Sequence, residues 1–343
     1  MLTALYSIVM APVLRAFFIL LGSTTGVWIR FEKVRGDFFS YKACLDGVKL
    51  EIPDHLSCEV KTCSLEFSVL DFSLKTLIVS NVYLQGARLE YNHASDKDLL
   101  PPTLPPFLIR NLQIQESIVI FSDRSPKTLA LKTPTALTFH LDDYRCEALH
   151  SQYLLFNAIF TSQMVGRLEE APFSMSYREE GEKGLSQWRV QGLPTQRLAP
   201  FVQGKLDLIE KSSMNISVSN EWLVNYDDIT MTVQILIIDL LNFRSPALLP
   251  VPTKLLADAL SVFINHQINN QVQEIPVTFQ FKLRKDNFLD LKDLNISDIL
   301  TAFADALTKA ILEKSLKNQM LMKDMGLLGL DTFLDIKKLF DKY

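Results

Sequence analysis

The sequence predicts a β-rich α+β fold: an N-terminal membrane helix, an elongated, curved, mostly antiparallel sheet, and amphipathic helices near the C-terminal end. Three observations predict it. One eight-residue pattern (apolar, any, apolar, two polar, apolar, any, apolar) is written four times. The chain is apolar from Met1 to Ile29, interrupted by Arg15 and a little by Pro12. Apolar residues at helical spacing concentrate after residue 252.

The N-terminal segment admits two readings. In one, residues 2–22 form a membrane helix that tolerates Arg15 at a cost of about 3 kcal/mol. In the other, Arg15 is the basic start of an export signal and Ala16–Ile29 its apolar stretch, which is short for a bilayer span. No A-x-A cleavage site follows it, so residues 1–26 are read as a retained anchor or uncleaved signal. Arg30, Lys33 and Arg35 come next, and the positive-inside rule would hold them in the cytoplasm. Charge alone therefore does not set the orientation.

Residues 27–343 are read as one β-rich domain without a linker convincing enough to divide it. The pattern appears as Ala43-x-Leu45-Asp46-Gly47-Val48-x-Leu50 and Leu77-x-Val79-Ser80-Asn81-Val82-x-Leu84. It returns as Phe107-x-Ile109-Arg110-Asn111-Leu112-x-Ile114 and as Leu289-x-Leu291-Lys292-Asp293-Leu294-x-Ile296. Alternation at period 2 puts every second side chain on one face of a strand. The polar pair would break that alternation, so a bulge or tight turn there is expected to keep both halves on one apolar side. Residues 77–91 also lie over 107–121 at an offset of 30 without a gap, matching Asn81 to Asn111, Gln85 to Gln115 and Tyr91 to Phe121. Repeats of this length point to stacked supersecondary units. Leu77, Val79, Val82, Leu84 and Leu89 are expected to share one apolar face, as are Ile109, Leu112, Ile114 and Val119.

Residues 92–106 form a polar, then proline-rich, connection. Strands are expected at 128–140, 152–161, 171–177 and 187–191, with Gly181–Gly184 turning between the last two. Residues 193–202 read as a short helix or turn between Pro194 and Pro200, and strands resume at 204–209, 213–220 and 228–241. Pro252 suits a helix first turn, with Leu256, Leu260, Phe263, Ile264 and Ile268 on one face, so a helix is expected near 252–268. Strands at 275–283 and 288–296 follow. Ser297 caps a helix over 297–318 bearing Ile299, Phe303, Leu307, Ala310 and Ile311, and a last amphipathic helix covers 330–341.

At 48% hydrophobic, 10% aromatic and 22% charged residues, the 343-residue chain is a folded protein rather than a disordered one. With a net charge of −4 and no basic strip interleaved with aromatics, nucleic acid is excluded as an expected partner. Cys44, Cys58, Cys63 and Cys146 form no C-x-x-C and have the wrong spacing with His for zinc; they read as core residues, with one disulfide open to an exported chain. Cys58 and Cys63, an odd number apart, would face opposite sides of a regular strand. The catalytic motifs of hydrolases, zinc proteases and nucleotide-binding folds are missing. His140 with Asp142 and Asp143 is the one His–carboxylate cluster, read as a solvated turn at a strand end, and Asp239 as a polar residue in an apolar run. Glu169-Glu170 and Glu179-Glu180 read as exposed loop charges. Asn215-Ile216-Ser217 and Asn295-Ile296-Ser297 match the glycosylation sequon inside expected strands. Neither an enzyme nor a metal or organic cofactor is expected.

The apolar start, then Gly26-Val27-Trp28-Ile29-Arg30-Phe31 and the copy at 43–50, resembles the opening of AsmA-like proteins. Leu70-Asp71-Phe72-Ser73-Leu74 looks like that family's loop into the strand Leu84-Gln85-Gly86-Ala87-Arg88-Leu89. Residues 109–123, closing on Ile120-Phe121-Ser122-Asp123, are similar to a second element of the family, as is Ile275-Pro276-Val277 through Ile296. The chain departs from the family in carrying Arg15 within its anchor. The resemblance implies a single-pass protein of the bacterial inner membrane, with the bulk of the chain in the periplasm. It also implies an apolar β-groove linked to phospholipid transport and outer-membrane assembly. Membrane, phospholipid acyl chains and envelope proteins are the partners it implies. The nine residues named above for the two apolar faces are the lipid-facing candidates. The competing expectation is an anchored, non-enzymatic scaffold that binds envelope-assembly partners through sheet edges.

Overall fold

The computed structural model describes residues 26–37, 41–67, 77–93, 106–123, 135–198, 212–223, 228–238 and 274–288, with 11–12, 15–16, 18–19, 22–23 and 306 besides. One open sheet of 13 strands, mostly antiparallel, runs through them. Its strands are β1 (Trp28–Arg30), β2 (Lys33–Asp37), β3 (Lys42–Ile52), β4 (Leu56–Glu66), β5 (Leu77–His93) and β6 (Phe107–Asp123). They continue as β7 (Thr135–His150), β8 (Ser162–Leu168), β9 (Ala171–Glu180), β10 (Lys183–Pro194), β11 (Ser213–Leu223), β12 (Asp228–Ile238) and β13 (Glu274–Arg284). Neighbours in the sheet follow chain order from β3 to β13, with β1 and β2 both beside β3.

The offset of 30 seen in the sequence is a pairing register. β5 and β6 lie side by side in parallel, from Leu77 opposite Phe107 to Tyr91 opposite Phe121. A parallel pair needs a crossover connection rather than a tight hairpin, which is why residues 94–106 separate the two copies. The matched residues of the repeat become ladder partners. Asn111 Nδ2 donates to Asn81 Oδ1 at 3.0 Å, and the Tyr91 and Phe121 rings stand 5.7 Å apart.

The device expected at the polar pairs is present, and it recurs more often than four times. Residues 43–50, 58–65, 82–89 and 139–146 all carry the eight-residue pattern, and 112–119 carries it with Ser117 at one apolar position. These five segments lie on adjacent strands β3 to β7, and their polar pairs are register partners. Asp46 faces Thr62, Thr62 faces Gln85, Gln85 faces Gln115, and Gln115 faces Asp143. A seam thus crosses five strands. At it the backbone turns left-handed at Gly47 (φ 63), Gly86 (φ 63) and Glu116 (φ 50), and β7 shifts register between Leu141 and Asp143. Each strand changes the parity of its inward residues there: Leu45 then Val48, Val60 then Cys63, and Leu141 then Tyr144 are all buried. A glycine suits this row because no Cβ opposes the positive φ. The absent side chains also leave room for neighbours: a Cβ at Gly47 would stand 2.6 Å from the Glu32 side chain, and one at Gly86 2.6 Å from that of Lys61.

The backbone cost of the seam is partly offset by a side chain. The Ala87 N–H donates to Ser117 Oγ at 2.9 Å, and that hydroxyl donates to the Gln115 carbonyl at 2.7 Å. A second row crosses at Ser80, Arg110 and Ala148, the last with φ 58. It lets Leu149 return to the inner face after Cys146.

Several expectations need correction. Residues 152–161 are not a strand: a short helix spans Leu154–Phe160, burying Phe156 and Phe160. Tyr144 Oη and Ser162 Oγ both donate to its Ala158 carbonyl, at 3.1 and 2.6 Å, which ties it to β7 and β8. His140, Asp142 and Asp143 do not end a strand but lie inside β7, where the seam breaks the alternation. Cys58 and Cys63 pack on the same cluster, because the seam at Lys61 and Thr62 reverses their parity. Glu169 and Glu170 lie in the turn between β8 and β9 as expected, but Glu169 is half-buried: it accepts from the Thr138 N–H at 2.8 Å and donates its own N–H to the Thr138 carbonyl at 2.7 Å. Glu179 and Glu180 are exposed, yet they end strand β9 rather than lie in a loop. The hairpin at 181–184, the turn at Thr195–Arg197 and strands β11, β12 and β13 fall where the sequence places them. The strands expected at 204–209 and over 289–296, Asp239, and the helices near 252–268, 297–318 (Ala306 aside, which is helical) and 330–341 lie outside the described residues.

The chain divides into two compact units. The first comprises Met1–Val190, Val218–Met231 and Lys282–Asn295 and holds the seam, the short helix and both large core clusters. The second comprises Gln191–Ser217, Thr232–Phe281 and Ile296–Tyr343. Within the second, Leu193, Met214, Val233, Ile235, Ile237 and Val277 are buried, and Thr195 pairs with Ser212 through both backbone (2.9 Å) and hydroxyls (2.8 Å). Asn215, of the first sequon, accepts from the Gly192 N–H at 2.8 Å inside that unit.

Candidate functional site: the apolar face of the sheet

Strands β3 to β9 are amphipathic by face. The outer face carries exposed charge pairs, among them Lys49–Glu59 at 2.6 Å and Arg35–Asp46 at 2.7 Å. Such solvated pairs contribute little stability, and they keep that side wet. Beside them runs a row of amides and carboxylates. Tyr83 Oη donates to Gln115 Oε1 at 2.8 Å, and the side-chain amides of Gln113 and Gln115 donate to Asp143 Oδ1 at 3.1 and 3.2 Å. Partial burial pulls the Asp143 carboxyl upward, but those amides and Arg145 outweigh it and hold the group below its ordinary value.

The inner face is apolar and divides into two clusters. Val79, Val82 and Leu112 belong to one buried cluster, joined by Leu141, Tyr144, Cys146, Leu149, Met164 and Met175. Leu84, Ile109, Ile114 and Val119 are half-buried and pack against it. Seven of the nine residues proposed from sequence therefore meet in one place. Leu89 is half-buried on the same strand, and the side chain of Leu77 lies outside the described residues. Leu154 and Ala158 of the short helix press on this cluster, so part of the face is covered by that helix. The contributions of β7, β8 and β9 were not anticipated. The signal was available in Phe139-His-Leu141-Asp-Asp-Tyr144-Arg-Cys146, another copy of the pattern, obscured by the charge of its polar pair and the tyrosine and cysteine at apolar positions.

Phe31, Val34, Leu45, Val48, Val60, Cys63 and Ala87 form the other cluster. All four cysteines are free thiols. Burial pushes Cys58 and Cys146 up to about 11 and Cys63 to about 12, which makes them inert packing groups at neutral pH. Aromatic rings surround the short helix: Phe160 lies 5.3 Å from Trp188 and 5.9 Å from Trp222. Among the described residues, Trp188 Nε1, Asn157 Oδ1 and Asn220 Oδ1 are buried without a hydrogen-bond partner. No group of His, Cys, Asp or Glu among the described residues is placed to hold a metal ion. No helix among them is long and apolar enough to cross a membrane. The chain matches no protein-family model and no curated protein.

Proposed function

We propose that this is a membrane-anchored envelope protein whose apolar sheet face handles phospholipid acyl chains, in lipid transport or outer-membrane assembly. The observation that carries the reading is the one-sided sheet. Val79, Val82 and Leu112 are buried at its centre, while Leu84, Ile109, Ile114 and Val119 around them remain half-open. An apolar face of this kind must be covered by something, and acyl chains match its chemistry. The apolar N-terminal segment supplies the anchor in this reading, and the resemblance to AsmA-like proteins supplies the setting: the bacterial inner membrane, with the bulk of the chain periplasmic. The test is mass spectrometry of organic extracts from residues 27–343 purified without detergent. Stoichiometric phospholipid is expected; no lipid in any preparation would remove the groove.

A second reading, an anchored scaffold for envelope-assembly proteins, is favoured by one observation. Val79, Val82 and Leu112 are 6%, 7% and 9% exposed, as in a dry core. In that case the half-open rim is a margin of packing and the extracts contain no bound lipid.

A further inference from the structure

We propose that Arg15 docks the N-terminal helix onto the first strands of the sheet and leaves the helix a charge-free side for the acyl chains of a membrane. This rests on the membrane-anchor reading above. Ala11, Arg15, Phe18 and Gly22 recur at i, i+4, i+7 and i+11 and so share one side of a helix. That side meets the sheet. Ala11 and Phe18 pack against the cluster of Phe31, Val34 and Leu45, and the Phe18 ring meets the Phe31 ring edge-on at 6.0 Å. The Arg15 guanidinium lies 5.4 Å from the centre of the Phe31 ring and donates to the Glu32 carbonyl at 3.5 Å. Gly22 admits the Trp28 ring, which would stand 2.6 Å from a Cβ there.

The neighbouring stripe is Pro12, Ala16, Ile19 and Ser23, and every one of these is exposed, Ile19 by 64%. A helix on a water-soluble surface turns its charges outward and its apolar residues inward. Arg15, the only charged residue from Met1 to Ile29, is itself exposed, but its guanidinium bends to the sheet side, to Phe31 and the Glu32 carbonyl, and leaves the Ile19 side without a charge. A helix with no other charge, whose one arginine is served by a carbonyl and an aromatic face, fits an apolar surrounding on its remaining side. The departure that sets this anchor apart, a charge in its middle, becomes the contact that fixes where the sheet begins relative to the helix.

The full chain, reconstituted into vesicles of phosphatidylethanolamine with a minority of phosphatidylglycerol, carries a photo-crosslinking phenylalanine analogue at position 18 or at position 19. Position 19 is expected to label lipid, and position 18 to label the chain's own segment 27–37. In Arg15→Leu, lipid labelling at position 18 rises several-fold, while Arg15→Lys stays near the wild type. Ala11 and Ala16 provide the same inward–outward contrast where a substitution at Phe18 prevents folding. Equal lipid labelling on both sides in the wild type would overturn the docking and leave the anchor standing. Absence of lipid labelling on both sides would overturn the anchor and the docking with it.

Discussion

At the scale of single residues, Gly86 and Glu116 occupy equivalent places 30 residues apart and share the left-handed conformation, at φ 63 and φ 50. Only one of them is a glycine. A side chain at Gly86 meets both the backbone cost of positive φ and the Lys61 stem 2.6 Å from its Cβ. Gly86→Ala is therefore expected to lower stability by about 1–2 kcal/mol. Glu116→Gly is expected to be neutral or to gain up to about 1 kcal/mol, since Gln85 donates to the exposed Glu116 carboxylate at 3.2 Å and loses little. Urea unfolding of the two variants checks this, and equal losses in both would refute the strain argument. Asp143 yields a pH dependence. Its folded pKa is depressed, so the stability it contributes is present above the unfolded value near 3.8 and fades as pH falls through the folded value. Asp143→Asn should lose that contribution at pH 7 and, having no carboxyl to protonate, should flatten the loss of stability below about pH 4. An unchanged acid limb in the variant would show that the Gln113 and Gln115 amides do not hold the charged form.

At the scale of elements, the polar pair is the device that lets long strands keep one apolar side. Val82 lies between the two transverse rows and is 7% exposed, whereas Tyr83 is half-buried on the outer face with its hydroxyl on Gln115. Val82→Asp is expected to cost about 3 kcal/mol or more, by burying an unpaired charge. Tyr83→Asp should cost about 1 kcal/mol, the loss of an outer hydrogen bond. Thermal melts of both decide it: a stable Val82→Asp beside a collapsed Tyr83→Asp would mean that the faces are reversed. Much of this was legible in the chain before its structure. The offset between residues 77–91 and 107–121 is the strand register itself, because side chains that stack in a parallel ladder must match in size and polarity at the same spacing. The segment 139–146 was not legible, since Asp142-Asp143 beside His140 imitates a solvated turn when their neighbours are unknown. The helix Leu154–Phe160 was missed because a short apolar run such as Leu154-Leu155-Phe156 has no period of its own. What decides it is tertiary: Ala158 receives hydrogen bonds from Tyr144 and Ser162, on the strands either side.

At the scale of the whole molecule, the open question is what an apolar side shared by so many strands is for, and two neighbouring residues separate the answers. Leu112 and Ile114 are alternate positions of β6 that face the same way, yet Leu112 is a buried member of the cluster and Ile114 only borders it. Truncating the Leu112 side chain leaves a void and strands an amide between Val82 and Cys146, its partners on the two neighbouring strands, so Leu112→Asn is expected to cost about 2–5 kcal/mol. That loss follows whether or not lipid ever binds. Ile114→Asn places the same amide at a half-open rim, where water can reach it, and is expected to cost less than about 1.5 kcal/mol. A face that holds acyl chains presents this rim to them. Ile114→Asn should then reduce lipid per protein while the melting temperature stays near the wild type, and Leu112→Asn should lower both together. Lipid content and melting temperature measured on the same preparations separate the cases. Bound lipid unaffected by Ile114→Asn places the acyl chains elsewhere on the molecule. A wild type without lipid, losing stability at Leu112 alone, returns the face to the role of a packed core and the protein to that of a scaffold.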